Sequence, residues 1–150
     1  MEQKKKDTYY FDIAKVVASR STCLFGNVGC VIVDFDDNVI STGYLADKSD
    51  ILNCKRSGLC SYVKRENISA DFGIPEHCDY MFPEVSAILS AERSRLEGAT
   101  LYVYAYDTEK EKTVSVKLDK TLSKIILASG IKRIVMSADQ RELISDDTDS

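Results

Sequence analysis

The residues of this chain with the greatest capacity for chemistry are one acid and a small set of cysteines. Glu84 follows Phe82 and Pro83 at the predicted start of a helix, and no cysteine occurs after Cys78. The only histidine of the sequence, His77, directly precedes that cysteine. A carboxyl at a helix start can carry protons in a reaction, or it can simply favour the positive end of the helix dipole by about 0.3–1 kcal/mol. The sequence leaves both interpretations of Glu84 open.

The first elements of the chain are a helix and a hairpin. Apolar residues at helical spacing predict a helix over Tyr9–Ala18, with Asp7 and Thr8 as capping candidates. Two β-rich runs, Val28–Phe35 and Val39–Tyr44, follow and are separated by three residues typical of a tight turn. The first run is apolar nearly throughout, so we expect helices to cover that strand on both faces.

The second half of the chain alternates helices with strands. The pattern predicts a helix from Pro83 to about Leu96, a strand over Thr100–Tyr106, a charged exposed loop, a helix from about 118 to 128 and a strand over Ile131–Met136. Alternation of this kind implies parallel crossovers. The fold class is therefore predicted to be α/β, with a mixed sheet layered by helices.

Length and composition set the outer limits of the interpretation. We expect one domain over residues 1–136 and a flexible acidic tail over 137–150. The net charge of −4 gives no general attraction to nucleic acid or to anionic membranes, and neither is an expected partner. No apolar run approaches the roughly 20 residues that span a bilayer, and no signal-peptide core follows the basic start. We therefore expect a cytoplasmic protein with reduced cysteines.

Six segments in order carry a resemblance to a known family. They are RSTC (20–23), VGCVIV (28–33), ISTGY (40–44), AILSA (87–91), LEGATLYVY (96–104) and SGIKRIVM (129–136). Together they resemble the deoxycytidylate (dCMP) deaminase family of the cytidine deaminase-like superfamily, over roughly residues 7–136. The resemblance implies a three-layer fold with a mixed sheet of about four to five strands and helices on both faces.

The resemblance also identifies where a catalytic zinc site would lie. In the family, a His-x-Glu pair and a Pro-Cys-x-x-Cys motif bind zinc, and the Glu carries protons between metal-bound water and the cytosine ring. Phe82, Pro83 and Glu84 occupy the first motif, so the acid is retained without its histidine. Counting back from SGIKR places the second motif on Leu118–Leu122; if an insertion lies elsewhere, Asp107 and Thr108 occupy part of it.

Neither alignment supplies a thiolate to this predicted centre. Phe82, Asp119 and Leu122 then occupy the zinc-ligand positions, and one aspartate does not make the open three-ligand site of a catalytic zinc. No catalytic zinc is expected, and Glu84 is the one residue that matches the family's proton-carrying Glu. The sugar-binding Gly-Tyr-Asn-Gly of the family is replaced by Gly-Tyr-Leu-Ala at 43–46, which leaves Tyr44 with Glu84 as candidate ligand-binding residues.

Four cysteines coincide with a second zinc site found in some members of the family. Cys23, Cys54, Cys60 and Cys78 resemble the ligands of an auxiliary structural zinc, with His77 as an alternative fourth ligand. A zinc ion with four protein ligands would hold the polar stretch 45–80 in place. The alternative is that they are ordinary cytosolic thiols, and Cys30, inside an apolar strand, is expected to be a packing residue.

These observations lead to one functional prediction and two alternatives. The leading prediction is a catalytically inactive member of the family, a pseudoenzyme with a nucleotide-sensing, regulatory or protein-interaction role. Its partners would be a deoxynucleotide and other chains in a homo-oligomer or hetero-oligomer. The first alternative is a zinc-dependent hydrolase converting dCMP to dUMP, completed by a partner chain or a rearranged site. The second is a zinc-stapled structural protein that binds no nucleotide.

Overall fold

A mixed β-sheet forms the middle layer of this computed structural model, which describes residues 2–46, 54–58, 80–136 and 142–144. Its strands are β1 (Gly26–Val33), β2 (Val39–Tyr44), β3 (Thr100–Asp107), β4 (Lys112–Val114), β5 (Arg133–Met136) and β6 (Glu142–Ile144). The main path across the sheet runs β2-β1-β3-β5-β6, and β4 pairs with the end of β3. β3 and β5 are parallel, whereas the other pairs are antiparallel. The predicted mixed sheet is therefore confirmed.

Helices cover both faces of the sheet, as predicted. They are α1 (Gln3–Ala18), α2 (Cys54–Ser57), α3 (Pro83–Ser90), α4 (Arg93–Leu96) and α5 (Lys120–Ala128). On one face α1 packs Tyr10, Phe11 and Ala14 against Val31 and Tyr102. On the other face, residues of α3 and α5 share a core with alternate residues of the same strands. β1 is buried on both faces, which agrees with its nearly continuous apolar sequence.

Two glycines allow helices to approach the strands closely. A Cβ on Gly29 would lie 2.3 Å from the backbone nitrogen of Ala18, and one on Gly43 would lie 2.2 Å from the carbonyl oxygen of Pro83. No side chain fits at either position without moving the backbone. Gly29 thus allows α1 to pack closely on one face of the sheet, and Gly43 allows the first turn of α3 to pack closely on the other.

The start of the first helix differs from the prediction. α1 begins at Gln3, so Asp7 and Thr8 lie inside the helix and do not cap it. Asp7 is buried, and its carboxylate accepts hydrogen bonds from Tyr102 and Arg133. The local sequence suggested Asp7 as a helix cap, whereas in the structure it pairs with Arg133, 126 residues away.

The helix predicted from Pro83 to about Leu96 is interrupted, and the prediction of one continuous helix is wrong. α3 ends at Ser90, and Ala91 and Glu92 have extended backbone before α4 begins at Arg93. Arg95 of α4 forms an ion pair with Asp34, which follows β1. The chain therefore turns at a place where local helix propensity alone predicts a continuous helix, and a tertiary contact follows the turn.

Two short strands fall outside the predicted elements. β4 follows the charged loop after β3, and β6 lies within residues 137–150, predicted as a flexible tail, where it pairs antiparallel with β5. Within the described segments, no helix combines the length and apolar character needed to cross a membrane.

Candidate functional site

Glu84 lies in the first turn of α3, with its side chain directed into the core. Pro83 occupies the start of the helix, and the carboxyl of Glu84 is only 2% exposed. One of its oxygens, Oε1, has no hydrogen-bond partner among the described residues. Gly43 of β2 faces the same turn and is paired in register with Cys30 of β1. Sheet register therefore brings a thiol and a carboxyl together from opposite parts of the chain.

The surroundings of Glu84 favour its neutral form. The pKa of Glu84 is raised to about 7, mainly by burial; the backbone N–H of Glu84 opposes the shift, and the nearby charge of Asp119 adds to it. Burial and the Glu84 charge also raise the pKa of the Cys30 thiol. Glu84 therefore titrates near neutral pH, well above the usual range of a carboxyl. Attraction to the helix dipole favours a charged carboxylate, so it does not explain a carboxyl whose pKa is raised.

The second predicted motif opens α5, which packs beside α3. Asp119 is the N-cap of α5, where its carboxylate accepts a hydrogen bond from the backbone nitrogen of Leu122 at 2.8 Å. Asp107 and Thr108, the alternative location, lie where β3 ends, and Asp107 accepts hydrogen bonds from the backbone nitrogens of Glu109 and Lys110. Of the two alignments, Leu118–Leu122 is the one that the fold places next to Glu84.

The residues around Glu84 do not fit a catalytic zinc ion. Phe82 and Leu122 pack into the apolar core and have no lone pair for a metal. Asp119 is committed to capping α5. Leu45, 1% exposed, belongs to the same core at the position where the family carries a sugar-binding Asn. Within the described segments, no group of three or more His, Cys, Asp or Glu side chains could hold a metal ion.

Tyr44 is not brought together with Glu84. Adjacent residues of a strand point to opposite faces, and Gly43 faces α3, so Tyr44 points to the face that carries α1. There the guanidinium carbon of Arg20 lies 5.0 Å from the centre of the Tyr44 ring. The structure thus separates the two candidate ligand-binding residues by the thickness of the sheet.

The candidate structural zinc ligands lie partly within the described residues. Cys54 is buried at the start of α2, and Cys23 is half-buried in the loop before β1. Tyr80 connects the two segments, because its hydroxyl contacts both Thr22 and Cys54. Cys60, Cys78 and the alternative ligand His77 lie outside the described residues. A structural zinc site needs four ligands, and two of the predicted ones are described, so the structural zinc stays a prediction.

Sequence reasoning missed two features of these sites. Cys30 is a buried packing residue, as predicted, but its proximity to Glu84 follows only from strand register. Tyr80 carries no motif, yet it is 5% exposed and its hydroxyl contacts Thr22, 58 residues away in sequence. An isolated tyrosine in a polar stretch gave no signal for this role.

Comparison with known proteins identifies the family. A family model of the cytidine and deoxycytidylate deaminase zinc-binding region matches residues 4–138. The chain therefore belongs to the cytidine and deoxycytidylate deaminase family. Within that family its relatives are deoxycytidylate deaminases: the enzyme of Mycobacterium phage D29 is 31% identical over 141 residues, which cover 90% of this chain and 96% of the relative. The family predicted from the six segments is confirmed.

Other relatives are longer than this chain. The deoxycytidylate deaminase of Saccharomyces cerevisiae is 34% identical over 138 residues, which cover 90% of this chain and 38% of the yeast protein. The deoxycytidylate deaminase of Schizosaccharomyces pombe is 33% identical over 131 residues, which cover 86% of this chain and 36% of that protein. The chain thus spans little more than a third of either yeast relative.

Solved structures share the fold at low sequence identity. The dCMP deaminase of cyanophage S-TIM5 in apo form matches 91% of this chain and 84% of its own, with a TM-score of 0.59 and 16% identity. The cytidine deaminase of Mycobacterium tuberculosis matches 95% and 94%, with a TM-score of 0.52 and 13% identity. These matches support the cytidine deaminase-like α/β fold.

Proposed function

We propose that this protein is a catalytically inactive member of the deoxycytidylate deaminase family that acts by binding rather than by deamination. The observation that carries the proposal is the set of side chains around Glu84. Phe82 and Leu122 offer hydrocarbon where relatives would offer zinc ligands, and the carboxylate of Asp119 caps a helix. Without a metal to lower the pKa of bound water to about 7, hydroxide is too scarce at neutral pH to attack a cytosine ring.

The role that remains is nucleotide sensing, regulation or protein interaction. We propose a deoxynucleotide and further chains in a homo-oligomer or hetero-oligomer as its partners, and a cytoplasmic location. A structural zinc held by Cys23, Cys54, Cys60 and Cys78, with His77 as the alternative fourth ligand, would stabilise the protein without taking part in chemistry. The convergence of the Cys23 and Cys54 segments at Tyr80 supports this part of the proposal.

Deamination of dCMP is the direct test. The purified chain should yield no dUMP above background, with or without added zinc, in an assay where the Mycobacterium phage D29 enzyme serves as the positive control. A rise in melting temperature with dCMP, dCTP or dTTP in the same preparation would support sensing. Production of dUMP that disappears in Glu84→Gln would overturn the proposal, because that variant keeps the shape of the side chain and removes its ionisable proton.

The retained Glu84 favours a second candidate function, a zinc-dependent dCMP deaminase. A buried carboxyl with a pKa of about 7 is suited to proton transfer near neutral pH, and its Oε1 has no partner in the described part of the chain. The zinc ligands would then come from a partner chain or from a rearranged site. Activity that appears only after mixing with a second protein would favour this candidate.

A further inference from the structure

Strand β2 ends the main path across the sheet, and among the described residues only β1 pairs with it. The backbone nitrogen of Leu45 donates to the carbonyl oxygen of Val28 at 3.1 Å, in the direction of β1. Backbone groups alternate in direction along an antiparallel strand, so those of Thr42 and Tyr44 point away from β1. Their N–H and C=O groups therefore form an edge to which one more strand can pair.

This edge lacks the features that usually prevent a sheet from gaining strands. Such edges commonly carry charged residues or proline, or are distorted by a bulge. Val39–Tyr44 contains no charged residue and no proline. The pairing with β1 shifts between Ile32 and Val33, which confines the bulge to the first residues of β2 and leaves Ser41–Tyr44 in regular register. Thr42 is exposed, so the regular half of β2 is accessible.

The chemistry of this edge suits a second copy of the same chain. Antiparallel pairing about a two-fold axis can place Thr42 opposite Thr42 of the other copy, a register that pairs outward-pointing residues with one another. Like charges opposite each other would destabilise such a pair, but β2 has none, and facing threonines are favourable. Arg20 lies over Tyr44 at one end of β2, and the exposed Asp36 precedes the other end. The two-fold axis therefore brings ends of opposite charge together.

We propose that Ser41–Tyr44 is the surface through which two copies of this chain pair, β2 against β2, to form one continuous sheet. This inference rests on the homo-oligomer of the proposed function and deepens it by naming the surface. A strand pair of this length buries less than the roughly 800 Å² per partner of a standard interface. The dimer should therefore dissociate on dilution.

Sedimentation velocity of the full chain over a wide range of concentrations tests the inference. The wild type should form dimers as its concentration rises. Thr42→Lys and Thr42→Glu, each measured alone, should dimerise at least about tenfold more weakly, because the two-fold axis then places like charges opposite each other. An equimolar mixture of the two variants should recover dimers, since a lysine then faces a glutamate across the axis.

Thr8→Lys is the matched control. Thr8 is also an exposed threonine, but it lies in α1, where its hydroxyl donates to the carbonyl oxygen of Lys4. This variant should dimerise like the wild type. The proposed surface would be overturned by a wild type that stays monomeric, by a Thr42→Lys chain that dimerises as strongly as the wild type, or by a mixture that stays monomeric. Production of dUMP would instead overturn the proposed function and leave this surface standing.

Discussion

Glu84 combines two properties that a surface carboxyl at a helix start lacks: burial, and an oxygen without a hydrogen-bond partner in the described part of the chain. Its pKa is raised from 4.5 to about 7, so the folded state holds more protons than the unfolded state between those values. Stability from this group is complete below about pH 4.5 and is lost as pH rises through 7. At about 1.4 kcal/mol per pKa unit, the loss is about 3 kcal/mol.

Glu84→Gln should remove this dependence, because the amide has nearly the same shape and does not ionise. Denaturant unfolding at several pH values should show the variant gaining stability over wild type from pH 5 to pH 8. The matched control is Asp119→Asn, which can still cap α5 through its side-chain oxygen and lacks the charge that raises the Glu84 pKa. In Asp119→Asn the pH-dependent loss of stability should have its midpoint at a lower pH than in the wild type. If the unfolding free energies of wild type and Glu84→Gln changed in parallel with pH, the prediction of a buried, neutral Glu84 would be wrong.

At the scale of single elements, the position of α3 depends on Gly43. Gly43→Ala would place a Cβ 2.2 Å from the Pro83 carbonyl oxygen and 3.1 Å from the Ala87 nitrogen, both backbone atoms that do not rotate away. We expect a loss of about 3 kcal/mol in unfolding free energy, together with a lower Glu84 pKa, because α3 must move off the sheet.

Gly58→Ala separates this steric effect from the general cost of replacing glycine. Among the described residues nothing lies within 4 Å of a Cβ at Gly58, whose φ is +73°, so backbone strain of about 1 kcal/mol is expected. Chemical denaturation of the two variants should therefore give clearly different losses. Equal losses would show that α3 does not require the close approach at Gly43.

Elements whose pattern is local were predictable from the sequence, and contacts between distant elements were not. The apolar periodicity of α1 and the β-rich runs of β1 and β2 were visible directly, and β2 has the predicted bounds. The break after α3 contains no glycine or proline, and Arg95 beyond it pairs with Asp34, 61 residues away in sequence. In the candidate site, Glu84 was found from its motif, whereas its neighbour Cys30 required strand register.

At the scale of the whole molecule, a buried ion pair joins the N-terminal helix to strand β5 of the sheet. Arg133 of β5 contacts Asp7 of α1 at 2.6 Å, with side-chain exposures of 17% and 11%, and Tyr102 of β3 donates to the same carboxylate at 2.6 Å. Burial alone would raise the pKa of Asp7, but the hydrogen bonds from Arg133, Tyr102 and Gln3 outweigh burial and lower it. The stability from this carboxylate is therefore present at neutral pH and is lost in acid.

Arg133→Met should cost about 3 kcal/mol of unfolding free energy at pH 7, because it leaves the charge of Asp7 buried without its partner. The double variant Asp7→Asn/Arg133→Met removes both charges and should recover part of that loss. Urea unfolding of the wild type, both single variants and the double variant gives the coupling energy directly. A coupling near zero would mean that the Asp7–Arg133 pair adds nothing to the other contacts that hold α1 on the sheet. A large coupling would show that the ion pair helps to fix the helix on the sheet face opposite Glu84.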